Sequence, residues 1–361
     1  MDKKDRDAEP IISGIQQVGL GNRHVYDTWS WYLENLGFNV PVFDEAAEAA
    51  LMLPYTGGQP RKRHAVLALN MAGGGGYEIW QYVSREGQPA DFEVRPGDLG
   101  IFCPKVKSSD IASTHKWLKD QQPVSKIHQL RDGRRHFYVK DPWGNPIEIV
   151  ESNDFFQKPA APHYCGGIYG ATIGVSQMDV SIEFYSKLLG YDRSLVDQTG
   201  RFEDFSFFGR DEEYRRVVLT HSEERKGAFS SLLGPSHLEL VQARGFEGRK
   251  IFKDRMWGDL GYIHVCFDVV GIDKLKEKCE KMGYPFTVDS GDFDMGEAAG
   301  RFAYIEDPDG TLIEFVETYR IPLIKKIGWY LNLRNRDARK KLPRWMLKAL
   351  GLGKVSSVPE K

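Results

Sequence analysis

Two stretches, YIEDPDGTLIEFVET (Tyr304–Thr318) and YVKDPWGNPIEIVES (Tyr138–Ser152), spell the same strand, tight turn and acid-bearing strand. In each, Asp-Pro-x-Gly combines a residue that pre-sets φ with one that tolerates a left-handed backbone, which is the chemistry of a turn. Upstream, WYLENLGF (Trp31–Phe38) and FYSKLLGY (Phe184–Tyr191) form a second pair, each an aromatic doublet on a leucine-bearing helix closed by glycine. The order is the same in both halves, so the chain is an internal duplication. SNDFFQKPAAPHYCGG (Ser152–Gly167), rich in Pro and Gly, suits the linker between them.

Each half divides again. In the first, GIQQVGLGN reads as a strand, DTWSWYLENLGF as a helix capped by Asp27, and HAVLALN and GYEIWQYV as strands; the pattern then restarts at LGIFCPKV. The second half repeats this from YGATIGV and again from GYIHVCFDV. The expected fold class is α+β: four βαβββ modules forming two pseudo-symmetric halves with paired curved sheets, plus a basic helical extension at the C-terminal end. The boundaries are a disordered 1–10, a first half 11–151 (modules 11–85 and 98–151), a linker 152–166, a second half 167–318 (modules 167–243 and 260–318), and a tail 319–361. One such unit curls its sheet over one helix and cannot close a core alone, so units must pair.

The 361 residues are 41% hydrophobic, enough for a sizeable core, and the net charge of −2 gives no chain-wide basic balance that would imply nucleic acid. Cys103, Cys165, Cys266 and Cys279 lie far apart without a CxxC pair, which argues for reduced thiols rather than a zinc ribbon or disulfide framework. The polar start MDKKDRDAEP and the lack of a long apolar run predict a cytoplasmic protein.

The last strand of every unit carries one acid among apolar neighbours: Glu78 in YEIWQ, Glu148 in IEIVE, Glu239 in LELVQ and Glu314 in IEFVE. Alternation puts each acid on one sheet face and its aliphatic neighbours on the other. A carboxylate on a buried face must be paired, protonated or metal-bound. The matching slots on the first strands read Gln17, Gly100, Gly170 and His264.

This arrangement resembles the vicinal oxygen chelate superfamily, which includes glyoxalase I, methylmalonyl-CoA epimerase, extradiol dioxygenases and the bleomycin- and fosfomycin-resistance proteins. The matching motifs are a first strand with His or Gln, an aromatic helix ending in LGF or LGY, and DPxG followed by a glutamate strand, across roughly residues 11 to 318. The resemblance implies metal ligands drawn from the first and last strands of two paired units. Pairing unit one with unit four collects Gln17, Glu78, His264 and Glu314, a set similar to that of glyoxalase I, and leaves Gly100, Glu148, Gly170 and Glu239 as a decayed site. Pairing within each half would instead group Gln17, Glu78 and Glu148 in the first half and Glu239, His264 and Glu314 in the second, with His237 as an alternative ligand beside Glu239. The first pairing is preferred because it gathers every non-glycine ligand in one place.

Such an oxygen-rich set with one imidazole suits one divalent ion among zinc, nickel, cobalt, manganese and iron. By the same resemblance the expected chemistry is lyase or isomerase: an enediolate forms on a small hydroxy-carbonyl or thiol-adduct substrate, with Glu314 as base and Glu78 as second candidate. A ferrous extradiol-type dioxygenase is the alternative enzyme, weakened by glycine at position 170, where the first histidine of an iron triad belongs. A metal-free binding or resistance protein is the alternative of another class.

Trp80 and Phe102 are candidate substrate contacts, while Arg131, Arg134, Arg135, Arg215 and Arg216 read as surface hairpin charges. The run AGGGGY reads as a hairpin turn without the context of a phosphate loop. The tail interleaves basic residues, among them Lys325, Lys326, Arg344 and Lys348, with apolar ones including Ile321, Ile327, Trp345 and Leu347, which predicts one or two amphipathic helices broken at Pro343. Packing against the body is the preferred role, followed by contact with an anionic membrane or ligand. The chain is expected to be a monomer or homodimer.

Overall fold

The computed structural model describes residues 9–209, 211–294, 299–324 and 328–359. Each of the four units opens with a long strand and a helix. Unit one has the strand Ile11–Asn22 and helix Val25–Leu36; unit two, Gly100–Ser108 and Ile111–Lys119; unit three, Cys165–Gly174 and Met178–Leu189; unit four, Gly261–Val270 and Ile272–Lys281. Their last strands are Gly76–Tyr82, Pro146–Glu151, His237–Ala243 and Leu312–Ile324. In every unit the first strand runs parallel to the last.

Local chemistry explains the repeated motifs. Helix Val25–Leu36 ends where Gly37 takes φ 79° and its amide donates to the Leu33 carbonyl; Gly190, at φ 71°, closes Met178–Leu189 in the same way. The first helix starts ahead of Asp27: His24 is its cap and Asp27 stands in the first turn, where a negative charge favours the helix dipole. In the DPxG turns, Asp141 Oδ1 accepts the amides of Trp143 and Asn145, and Asp307 Oδ1 accepts those of Asp309 and Thr311. The other carboxylate oxygen of each accepts a buried hydroxyl, Tyr32 to Asp141 at 3.0 Å and Tyr185 to Asp307 at 2.9 Å. The aromatic-helix motif and the turn motif therefore recur together because they are hydrogen-bonded to each other across neighbouring units.

Sheet pairing cuts across the order of the chain. The first strands of units one and four run antiparallel side by side, with Gln17 opposite Cys266 and Val18 opposite Val265. Those of units two and three do likewise, with Cys103 opposite Thr172 and Lys105 opposite Gly170. The outer units thus build one sheet of ten strands among the described residues and the inner units a second of eight. The AGGGGY run lies where these sheets meet: Gly75 exchanges backbone hydrogen bonds with Ile168, and a Cβ on Gly74 or Gly75 would come within 2.7 Å of neighbouring backbone. It is a seam rather than a free hairpin.

Of the one or two helices expected around Pro343, the described residues of the tail form one short α-helix, after the proline. The last strand of unit four continues to Ile324 and pairs with Trp329–Asn332, while Pro343, at φ −54°, caps the short helix Arg344–Leu350. Leu342 and Leu347 are buried in a cluster with Val40, Leu69, Met71, Phe156 and Leu232. Packing across units one and three and the linker is what the described tail does; Lys325, Lys326 and Ile327 lie outside the described residues. No helix among the described residues is long and apolar enough to cross a membrane.

One buried acid at the seam between units one and four makes stability depend on pH. Asp268, opposite Gly14, is 2% exposed, and burial pushes its carboxyl up to about 7, partly offset by the Ser13 hydroxyl. The folded state therefore holds a proton that the unfolded chain releases near pH 4, and the stability this group contributes falls as pH rises from about 4 through about 7. Asp268→Asn is expected to match the parent at pH 4 and exceed it by ~2–4 kcal/mol at pH 8. Denaturant midpoints at the two pH values check this; an equal difference at both would contradict it.

Candidate metal centre

On the ten-stranded sheet, four side chains from the two outer units converge. Gln17 comes from the first strand of unit one and Glu78 from its last; His264 and Glu314 hold the same places in unit four. The registers agree: Gln17 pairs with Gly76, two residues before Glu78, and His264 with Leu312, two residues before Glu314. The Gln17 amide nitrogen donates to Glu78 Oε2 at 3.3 Å and to Glu314 Oε2 at 3.4 Å. His264 Nε2 lies 3.2 Å and 3.1 Å from the same two oxygens. Glu78, His264 and Glu314 each offer a ligand atom, all within 4.8 Å of one another.

Their chemistry fits a cation. Gln17 Oε1 and His264 Nδ1 are buried without a hydrogen-bond partner, and two carboxylates share the Nε2 of one imidazole away from water. Three oxygens and one imidazole nitrogen are a donor set for a borderline or hard divalent ion. Burial alone would lower the His264 pKa, yet Glu314 and then Glu78 outweigh it and raise it to about 9.

An aromatic wall surrounds these residues. Trp257 lies parallel to the His264 ring with centroids 6.3 Å apart, and Tyr304 stands edge-on to it at 5.5 Å. Trp80 packs between Tyr82 and Trp257, each at 4.6 Å. The connection carrying Trp257 is pinned down: the Tyr82 hydroxyl donates to the Trp257 carbonyl, Arg85 pairs with Asp259 at 2.5 Å, and the Trp257 amide donates to the Tyr55 carbonyl. Gly258 is required there, since at φ +91° a Cβ would fall 2.0 Å from the Trp80 ring.

Residues 161–315 match the family model described as Glyoxalase/Bleomycin resistance protein/Dioxygenase superfamily. That match spans units three and four as far as Phe315. Two crystal structures of glyoxalase I mutants from Zea mays share its fold, at 13% and 12% identity, TM-score 0.52, covering 86% of this chain and 94% of theirs. A Bacillus subtilis protein put forward as a dioxygenase aligns at 16% identity and TM-score 0.52 over 86% of each chain. At these identities the likeness speaks for the fold alone. No curated protein matches the sequence.

The second cleft, on the eight-stranded sheet, is filled differently. Glu148 and Glu239 are fully buried and face Lys105, whose ammonium bonds Glu148 Oε2 and, at 2.6 Å, Glu239 Oε2. Arg216 Nε donates to Glu239 Oε1 at 2.6 Å, and its Nη1 reaches both oxygens of Asp204 at 2.8 and 2.7 Å. His136 Nδ1 lies 2.9 Å from Glu148 Oε1.

Several sequence expectations shift in this cleft. Lys105 pairs with Glu148, so the slot two residues back is Cys103, not Gly100; register shifts between Ile101 and Cys103 displace the count. Arg216 is no surface hairpin charge but 5% exposed. Phe102 is not brought to the outer-unit site; it packs edge-on against Phe208 at 4.9 Å beside the inner-unit sheet. His237 and Glu239 also stay there, away from His264 and Glu314. Burial, with Arg134 second, lowers the His237 pKa to about 3. Tyr304 and Trp257 were missed. Register across the DPxG turn sets Tyr304 directly opposite Glu314 and so marks it, whereas no pattern marks Trp257.

Gly19 is what gives His264 its place: a Cβ there would lie 2.4 Å from the imidazole. Gly19→Ala is expected to push the ring off the two carboxylates and cut divalent-ion affinity at least ~10-fold, with the fold retained. Calorimetric titration with Mn²⁺ checks this, and an unchanged affinity would contradict the placement.

Proposed function

We propose that the chain is a divalent-metal-dependent lyase or isomerase of the glyoxalase type, acting by proton transfer on a small substrate with adjacent hydroxy and carbonyl oxygens or on a thiol adduct. The supporting observation is the convergence of Gln17, Glu78, His264 and Glu314 from opposite ends of the repeat array, with His264 Nε2 shared between the two carboxylates and Gln17 Oε1 left without a partner. The bound ion, held by these four residues, supplies electrostatic stabilisation for negative charge developing on the two substrate oxygens.

The remaining steps belong to the chain. Glu314 takes the proton from the carbon bearing one oxygen and returns it to the neighbouring carbon or the opposite face. Glu78, on the facing unit, is the second group placed to carry that proton. Tyr304, opposite Glu314, and Trp257, over His264, keep water from the proton in transit. Burial first, then Glu314 and Glu78, hold the Tyr304 phenol well above its ordinary pKa, so it stays a hydrogen-bond donor. A single histidine in the set sits poorly with the two-histidine triad of ferrous oxygenases.

The test is solvent deuterium exchange into α-hydroxy carbonyls and hemithioacetals by metal-loaded protein. Wild type is expected to label the carbon, and Glu314→Gln to slow labelling ~10²–10⁴-fold with the ion still bound. Equal labelling by the variant, or none by the loaded wild type, would overturn the reading.

A further inference from the structure

We propose that Lys105 is the resident cation of the second cleft: its ammonium stands in for a divalent ion between Glu148 and Glu239, and its removal uncovers a second divalent-metal site. The registers make the two clefts comparable residue by residue. Gly19 pairs with Glu78 in unit one, and Lys105 pairs with Glu148 in unit two. At one equivalent position the outer cleft has no side chain and leaves room for an imidazole; the inner cleft has a lysine whose ammonium bonds both glutamates.

The surroundings are built for that lysine. Its chain passes over Gly170, where a Cβ would meet Lys105 Cδ at 3.1 Å and the His237 carbonyl at 2.4 Å. Lys105 is 2% exposed, and a buried ammonium persists only if its charge is matched. Burial would lower its pKa, but Glu148 and Glu239 raise it well above the ordinary lysine value, so the charge is held. The residues that flank it also suit a metal: His136 Nδ1 stands 2.9 Å from Glu148 Oε1, and Cys103 occupies the slot that Gln17 and His264 hold elsewhere. Arg216 keeps Glu239 Oε1, leaving Oε2 for the ion.

That wild type binds one ion rests on the reading above; the uncovering of a second site does not. The experiment compares the full chain, Lys105→Ala, Glu314→Gln and the double variant, stripped with chelator and titrated with Co²⁺, reading bound cobalt, its visible absorption and the melting midpoint. Lys105→Ala is expected to melt lower than its parent in chelator, to recover on adding Co²⁺, and to bind one more Co²⁺ per chain than its parent in both backgrounds. A wild type that binds no ion while Lys105→Ala binds one sinks the outer site and leaves this inference standing. No additional ion in either background overturns it, as does a Lys105→Ala chain that stays unfolded with cobalt. An additional ion that survives Glu239→Gln overturns it too.

Discussion

Replacing either Gln17 or His264 with alanine is expected to weaken one and the same divalent ion by at least ~10²-fold, because each removes a donor from a site buried on all sides. The two residues are 247 positions apart and lie on different units, so no local effect joins them. Their link is physical: Gln17 and His264 both reach Glu78 Oε2 and Glu314 Oε2 within 3.4 Å. Removing the imidazole also leaves two buried carboxylates facing each other with only an amide between them, a repulsion that the imidazole offsets in the parent. Calorimetric titration of stripped protein with Mn²⁺ checks both variants. If only one of them loses affinity, the two outer units do not share an ion.

The largest stability effect is expected at Arg216. Arg216→Ala leaves Asp204 and Glu239 buried without the guanidinium that bonds three of their four oxygens, and breaking such a pair costs ~3–5 kcal/mol. Its guanidinium also lies 4.2 Å from the Phe205 ring and 4.7 Å from that of Phe202, so packing is lost with the charge. Chemical denaturation at pH 7 reads the loss, and Arg215→Ala serves as contrast, since its partners Asp197 and Asp179 are solvent-facing and such pairs contribute ~0–1 kcal/mol. Equal losses for the two arginines would contradict the burial argument.

Much of this was legible in the sequence because repetition makes register visible. The DPxG turn fixes where each last strand begins, alternation then assigns Glu78, Glu148, Glu239 and Glu314 to one face, and the aromatic helix marks each unit's entry. The same counting pointed to units one and four as partners, and the strand registers place them side by side. What failed did so where the period slips or tertiary context overrides it. The displaced register near Phe102 moved the unit-two slot from Gly100 to Cys103. Arg216 alternates like a surface residue in a charged hairpin, and only the strand beside it, with Glu239, shows that it points inward. Lys105 sits in an apolar strand, a burial signal that counting ligands alone passes over. Trp257 lies in an irregular connection whose path depends on Tyr82, Arg85 and Tyr55, none of them close to it in sequence. In the tail, charge and apolar spacing suggested helices on both sides of Pro343, yet the stretch before it extends the unit-four sheet, because a strand edge was there to pair with.

The most direct test is anomalous scattering from a crystal of the full chain grown with Mn²⁺ or Co²⁺. The account predicts one strong peak per chain, coordinated by Glu78, His264 and Glu314 with Gln17 Oε1 beside them, and none between Glu148 and Glu239. A peak at the inner glutamates, or an outer site where the Gln17 amide and His264 imidazole simply hydrogen-bond the carboxylates in the presence of saturating metal, would contradict it.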